Sequence, residues 1–317
     1  MGKLLPLTQG SSVIYKFYPG HFLRILGMAY QSILEGKQEN FLLVIDELNR
    51  GNAAAIFGTV FQLLDRETNG WSSYQVDISE MELSSILGVM RLDPNTDPHG
   101  IVQVKGKHGR LTYQEYFQKE VDNIKEKDND LNKITVCSLL KECRITIPYN
   151  LSIIATINTS DESIYYLDTA FKRRWDWQHV KAPLIDSSDD DSHVPNDLKE
   201  VQLIFNEESK GLWSSHIVGI NEFIKSHYKT IRRIEDKQIG WWFIKPVDGK
   251  VELQQVKDKL MFYIWDSVFT RDKKPLEVIP SSDNASVKLT QYSDFVDKTE
   301  QFMDKIYNKF WAMKSDE

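Results

Sequence analysis

Short apolar runs, stretches with helical spacing and polar punctuation alternate along the chain, and their order divides it. Val13 to Phe17 has the β-branched and aromatic composition of a strand and stops at Pro19-Gly20. After that stop, Phe22, Leu23, Ile25, Leu26 and Tyr30 recur on one helical face. A polar turn over 37–40 leads into Phe41-Leu42-Leu43-Val44-Ile45, an unbroken apolar run that ends abruptly in Asp46-Glu47. Such a run predicts a strand buried on both faces of a parallel sheet. From 53 to 64, the residues Ile56, Phe57, Val60, Phe61 and Leu64 form one stripe, so a helix is expected to pack back on that sheet.

Downstream the periodicity weakens. Residues 70–144 read as an insertion with helices of its own rather than as sheet. The best-marked helix starts at Thr112, which stands at capping-box spacing from Glu115, ahead of Tyr116, Phe117, Val121 and Ile124. Strand character returns over 145–148 and 151–157, the second run ending at Asn158-Thr159. A helix is expected over 166–174 and extended chain over 175–180. Residues 183–195, with the acidic run between Ser187 and Ser192, read as a surface linker without the spacing of a calcium loop. Beyond it, 198–231 and 253–269 are helical by period, with a short apolar element at 239–244 between them. The expected organisation is a large α/β unit over 1–182 interrupted at about 70–144, an acidic linker over 183–197 and a smaller helical, lid-like unit over 198–317.

Composition narrows the classes. With 317 residues, 41% of them hydrophobic, the chain can bury a sizeable core. No apolar stretch reaches the ~20 residues of a membrane helix, and residues 1–10 lack the order of a signal peptide, so no membrane association and a cytoplasmic location are expected. Cys137 and Cys143 are too far apart for a CxxC pair and lack clustered histidines, so neither a disulfide framework nor a zinc site is indicated. A net charge of -7 argues against holding nucleic acid by the overall field. Local positive clusters occur at 172–174, 232–233 and 271–274; the last two read as solvated faces.

An apolar strand ending in two acids has the form of a Walker B element. An acid there can hold the water shell of a phosphate-bound Mg²⁺, and the next can orient an attacking water. The alternative is ordinary capping chemistry at a helix start. The continuation decides between them. Leu43 to Asn52 reads LVIDELNRGN and is followed by Ile56-Phe57-Gly58; LSIIATINTSD spans Leu151 to Asp161, and LDTAFKRRW spans Leu167 to Trp175. Together these resemble the McrB family of AAA+ NTPases over roughly 20–177, with a fainter echo at Lys237 to Trp241. The resemblance implies a P-loop NTPase fold, a mostly parallel sheet flanked by helices with a smaller helical lid, and hydrolysis of GTP or ATP with Mg²⁺.

It also implies roles. Asp46 would hold Mg²⁺ through water and Glu47 would act on the attacking water. Asn158 matches the sensor-1 amide, and Arg173 or Arg174 the arginine finger that reaches a neighbour's nucleotide. Asn49, Arg50 and Asp161 belong to the nucleotide edge or the subunit interface. Implied partners are further copies in a ring, a hexamer by the family's pattern, a separate McrC-like nuclease subunit and, through it, DNA. Without the resemblance, Asn158 reads as a turn residue and the arginines as cations at a helix C-terminus.

The chain departs from the pattern in three respects. No GxxxxGK[ST] phosphate-binding loop occurs in it, Glu162 and Ile157 replace an arginine and a methionine of the family signature, and Trp241 stands where histidine is usual. No convincing nuclease constellation is present either. Three readings follow: a restriction motor subunit, a non-hydrolysing scaffold of the same fold, or a MoxR-like or dynein-related remodelling ATPase.

Overall fold

The computed structural model describes residues 2–9, 12–96, 101–158, 165–184, 194–277 and 289–310. The chain divides into two units, Met1–Trp177 and Gln178–Glu317.

The first unit opens with an antiparallel hairpin, β1 (Gly2–Gln9) against β2 (Ser12–Pro19). Helix α1 (His21–Leu34) follows and buries Leu23, Leu26, Ala29, Tyr30 and Ile33, the face that the periodicity marks. Next come β3 (Phe41–Ile45), α2 (Ala53–Phe57), a 3-10 stretch over Gly58–Leu64, β4 (Val76–Asp77) and α3 (Glu80–Val89). A three-stranded antiparallel sheet of β5 (Asn95–Thr96), β6 (Val102–Gly106) and β7 (Gly109–Thr112) precedes α4 (Tyr113–Lys127) and α5 (Leu131–Lys141). The unit closes with β8 (Arg144–Ile145), β9 (Leu151–Ala155) and α6 (Thr169–Lys172). Both halves of the Thr112–Glu115 capping box are made.

Helices α3 and α5 pack on α1, so residues 70–144 share one core with the opening of the chain. Tyr30 fastens that core. Its hydroxyl donates to the Thr146 carbonyl at 2.6 Å and accepts from the Thr146 amide at 2.9 Å, 116 residues away in sequence. Asn150 bonds the carbonyls of Ala29 and Glu39 at 3.2 and 3.3 Å. The chain entering β9 is thereby clamped to both ends of the α1–β3 segment.

Several expectations are corrected. The 70–144 region contains sheet as well as helices, because Val102 and Val104 alternate into the core while a two-residue turn ends at Gly109 with φ +80°. The described strands form five small sheets, of which only the β3–β9 pair and one pair in the second unit are parallel. Among the described residues the strand pairing is therefore mostly antiparallel. The helix expected over 53–64 breaks at Gly58, φ +51°, and leaves Ile56 65% exposed. The helix expected over 166–174 is confined to α6.

The second unit is mixed rather than helical. Leu203 and Phe205 alternate inward along β10 (Gln202–Phe205), and Asn206 and Glu207, both at positive φ, make a tight turn into β11 (Glu208–Leu212). This hairpin replaces the helix expected at the start of 198–231; α7 (Trp213–Ser226) supplies the rest. Strand β12 (Lys250–Glu252) pairs parallel with β10, and α8 (Leu253–Gln255) continues through π-helical turns to Val268, where a helix was expected. The segment 239–244 is turns held by buried Ile239 and Ile244. Short helices α9 (Lys274–Glu277) and α10 (Tyr292–Val296) lead to α11 (Thr299–Phe310), which packs on α7. Most of the acidic linker lies outside the described residues. No helix among those described is long and apolar enough to cross a membrane.

His216 makes this unit sensitive to acid. Its Nε2 donates to the Lys210 carbonyl at 2.8 Å, its ring lies 4.8 Å from that of Tyr307, and its Nδ1 is buried with no partner among the described residues. Burial pushes its pKa down to about 4, against the opposing hydrogen bond to Lys210. Below about pH 6.5 the unfolded chain takes a proton that the folded one refuses, so stability is full above that pH and declines as pH falls towards 4. The expected loss is about 3 kcal/mol, at ~1.4 kcal/mol per pH unit. Urea midpoints at pH 7 and 4.5 should differ by much less in His216→Gln than in the parent; an equal difference would remove His216 as the cause.

Candidate functional site

Strands β3 and β9 run side by side and in step, Phe41 opposite Leu151 and Ile45 opposite Ala155. Their carboxyl ends therefore release Asp46-Glu47 and Thr156-Ile157-Asn158 at the same level. The crevice outside such ends is where open α/β sheets bind ligands. Thr156 ties the two ends together: its amide donates to the Ile45 carbonyl at 2.9 Å, and its carbonyl accepts from the Leu48 amide at 2.9 Å. Its hydroxyl donates to Asp46 Oδ1 at 2.5 Å while accepting the Glu47 amide at 3.0 Å. One hydroxyl thus orients the first acid and fixes the backbone of the second.

Glu47 sits in the left-handed region, φ 52° and ψ 52°, a conformation that costs a non-glycine residue free energy and turns the chain sharply at the strand tip. Its carboxylate meets Arg50 Nε at 3.0 Å in a pair about half exposed. Asn49 is buried. It donates from Nδ2 to the Asn158 carbonyl at 2.6 Å, and its backbone carbonyl accepts from Tyr165. Its Oδ1 is buried and has no partner among the described residues, so a polar acceptor stands unmatched at the centre of the cluster.

Below the tips, Leu48, Ala53, Leu167 and Phe171 form a small core with Ile45, Phe57, Phe61 and Ile157 around it. Asp168 caps α6 by accepting from the Phe171 amide at 2.7 Å, and the Phe171 ring stacks on Phe61 at 5.3 Å. This seating gives the two adjacent arginines different fates. Arg174 turns inward: Nε meets Asp65 at 2.9 Å, Nη1 donates to the Ala170 carbonyl at 2.6 Å, and the guanidinium lies 4.1 Å above the Phe61 ring. Arg173 is exposed and makes no side-chain bond among the described residues.

Replacing Arg174 by alanine is expected to destabilise the first unit by about 2 kcal/mol, since Asp65 loses its partner and Phe61 its cover. Denaturant unfolding of Arg174→Ala beside Arg173→Ala checks it; equal, small losses would contradict the inward assignment.

The structure thus gathers Asp46, Glu47, Asn49, Arg50 and Asn158 at one strand-end cluster, with Arg173 and Arg174 just past the C-terminus of α6, packed beside it. Asp161 lies outside the described residues. Thr156 is a member that sequence reasoning passed over, because its place beside Asp46 exists only once the two strands lie in register. The expectation that β3 is buried on both faces is corrected: Leu42 is 48% and Val44 60% exposed, and Ile154 opposite Val44 is 54% exposed. A one-sided parallel pair leaves an apolar stripe that climbs to Asp46 and Thr156.

The described architecture is a mixed α/β unit with a polar cluster at the ends of two parallel strands. No family model matches the chain. It is similar to the Type II restriction enzyme BsuMI component YdiS of Bacillus subtilis (strain 168), 28% identical over 256 residues, which is 80% of this chain and 55% of that protein. This chain therefore spans just over half the length of that relative.

Proposed function

We propose that this protein is a component of a DNA restriction system and contributes the acid and sensor half of a nucleoside triphosphatase site of the McrB type. The observation that carries the reading is the strand-end cluster, in which Thr156 joins Asp46 and Glu47 across two in-register parallel strands. The relative's designation as a restriction enzyme component supports the setting.

The donors fit a hard cation. Asp46 and the Thr156 hydroxyl are oxygen groups, and Mg²⁺ takes one or two carboxylates, waters and phosphate rather than a protein cage. Bound there with GTP or ATP, the ion would neutralise charge on the phosphates. Glu47, aimed by its left-handed backbone, would accept hydrogen bonds from the attacking water, and the Asn158 amide would help to position it. Arg173 is the arginine suited to reach another copy in a ring, because Arg174 is engaged internally. A phosphate cradle is not among the described residues. The exposed stripe of Leu42, Val44 and Ile154 is suited to a further strand–helix unit bearing one, in the same polypeptide or another. A McrC-like nuclease subunit would then couple the assembly to DNA.

The 317-residue chain alone is expected to show no rise in melting temperature with 1 mM GTP or ATP and Mg²⁺. Assembled with a polypeptide carrying a GxxxxGK[ST] loop, it should hydrolyse nucleotide and lose that activity in Asp46→Ala. Tight binding by the chain alone would overturn the division of the site, and hydrolysis indifferent to Asp46→Ala would overturn the reading itself.

A further inference from the structure

The loop that follows α7 carries a chemistry the strand-end cluster does not use. From His227 to Lys245 there are five Lys or Arg against two acids, Glu235 and Asp236, in a chain whose net charge is -7. The loop is held to the second unit from within. Ile231, Ile239 and Ile244 are buried, and the side chain of Asn221, itself fully buried, grips the Ile239 backbone from both sides at 2.7 and 2.9 Å. Tyr263 adds a bond to the Lys237 carbonyl at 3.2 Å. With these residues as anchors, the loop leaves several of its other side chains exposed. Lys229, Arg232, Arg233 and Lys245 are exposed, Tyr228 is 63% exposed and Trp242 50% exposed, and the Lys229 ammonium lies 5.8 Å from the Tyr228 ring.

An anchored basic loop with two exposed aromatic rings on an otherwise acidic protein fits a polyanion with flat, stackable groups. We propose that this loop is a nucleic-acid-binding surface that holds phosphates through Lys229, Arg232, Arg233 and Lys245 and stacks unpaired bases on Tyr228 and Trp242. The aliphatic side chains that a protein partner would use are turned inward, which favours nucleic acid over an acidic polypeptide. The inference makes no use of the nucleotide site, so its failure leaves that reading in place.

The test is fluorescence anisotropy of the full chain with a 20-nucleotide oligo(dT) and with a 20-base-pair duplex. Oligo(dT) should bind more tightly than the duplex, with log K falling by about 3 per decade of salt, from four phosphate contacts at ~0.7 each. The double variant Lys229→Glu/Arg232→Glu should weaken binding by about a hundredfold and Trp242→Ala by about tenfold, with melting temperature unchanged in both. The proposal is overturned if oligo(dT) does not bind at 50 mM salt, if the duplex binds more tightly and ignores Trp242→Ala, or if polyglutamate competes as well as oligo(dT).

Discussion

Replacing Tyr30 by alanine is expected to cost the first unit about 5 kcal/mol, enough to unfold it under ordinary conditions. The ring is fully buried in the main core, so its removal leaves a cavity worth about 3–5 kcal/mol when the surroundings relax only partly. The hydroxyl adds a second loss, because the buried Thr146 amide and carbonyl both depend on it. Tyr30→Phe separates the two effects. It keeps the packing, strips both bonds and should cost about 2 kcal/mol. Guanidinium unfolding of the three proteins, followed by a probe in the first unit, measures the series. A Tyr30→Phe protein as stable as the parent would show that the bridge from α1 to Thr146 contributes only packing. The consequence would reach the candidate site, because the Thr146–Asn150 segment delivers β9 to its register with β3.

That dependence also explains what could be read in advance. The strand at 41–45, the strand at 151–157, the helix at 21–34 and the capped helix at Thr112 follow from local pattern, since each is written in consecutive residues. The polar residues at the two strand ends were legible for the same reason. Thr156 was not, because its role exists only once a strand 110 residues away lies in step with it. The exposed stripe on β3 escaped the pattern for a related reason. An unbroken run of Phe, Leu, Leu, Val and Ile states that both faces are apolar, not that both are covered. The hairpin at 202–212 was missed because a helical period was read through Asn206-Glu207, whose positive φ values are a turn's and not a helix's.

The different fates of Arg173 and Arg174 lie beyond any linear pattern too. Both follow the end of one short helix, and the position of Asp65 and Phe61, more than a hundred residues earlier in the chain, draws one inward. The same tertiary context governs what the acids can do. Asp46 is oriented by a hydroxyl, whereas Glu47 is oriented by its own strained backbone and leaves its carboxylate half exposed beside Arg50.

Glu47→Gln is accordingly expected to lower turnover of an assembled, hydrolysing complex by about 10²–10³-fold while leaving nucleotide affinity within about twofold. The argument rests on how little else the substitution changes. Glutamine has the shape of glutamate and meets the same cost at φ 52°, so the turn at the strand tip is retained. Its amide oxygen can still accept from Arg50, and that exposed pair contributes little to stability in any case. The Glu47 amide stays on the Thr156 hydroxyl, so Asp46 keeps its orientation. What the substitution would remove is the negative charge proposed to polarise a water and the capacity to take its proton. Asp46→Asn should behave differently: it weakens the oxygen set offered to Mg²⁺, so affinity for the Mg²⁺–nucleotide complex falls together with turnover. Rates and dissociation constants measured on the parent, Glu47→Gln and Asp46→Asn assemblies distinguish the two acids. If Glu47→Gln turned over at the parental rate, the second acid would be a structural turn residue, and the water would have to be activated by a group outside the β3–β9 strand ends.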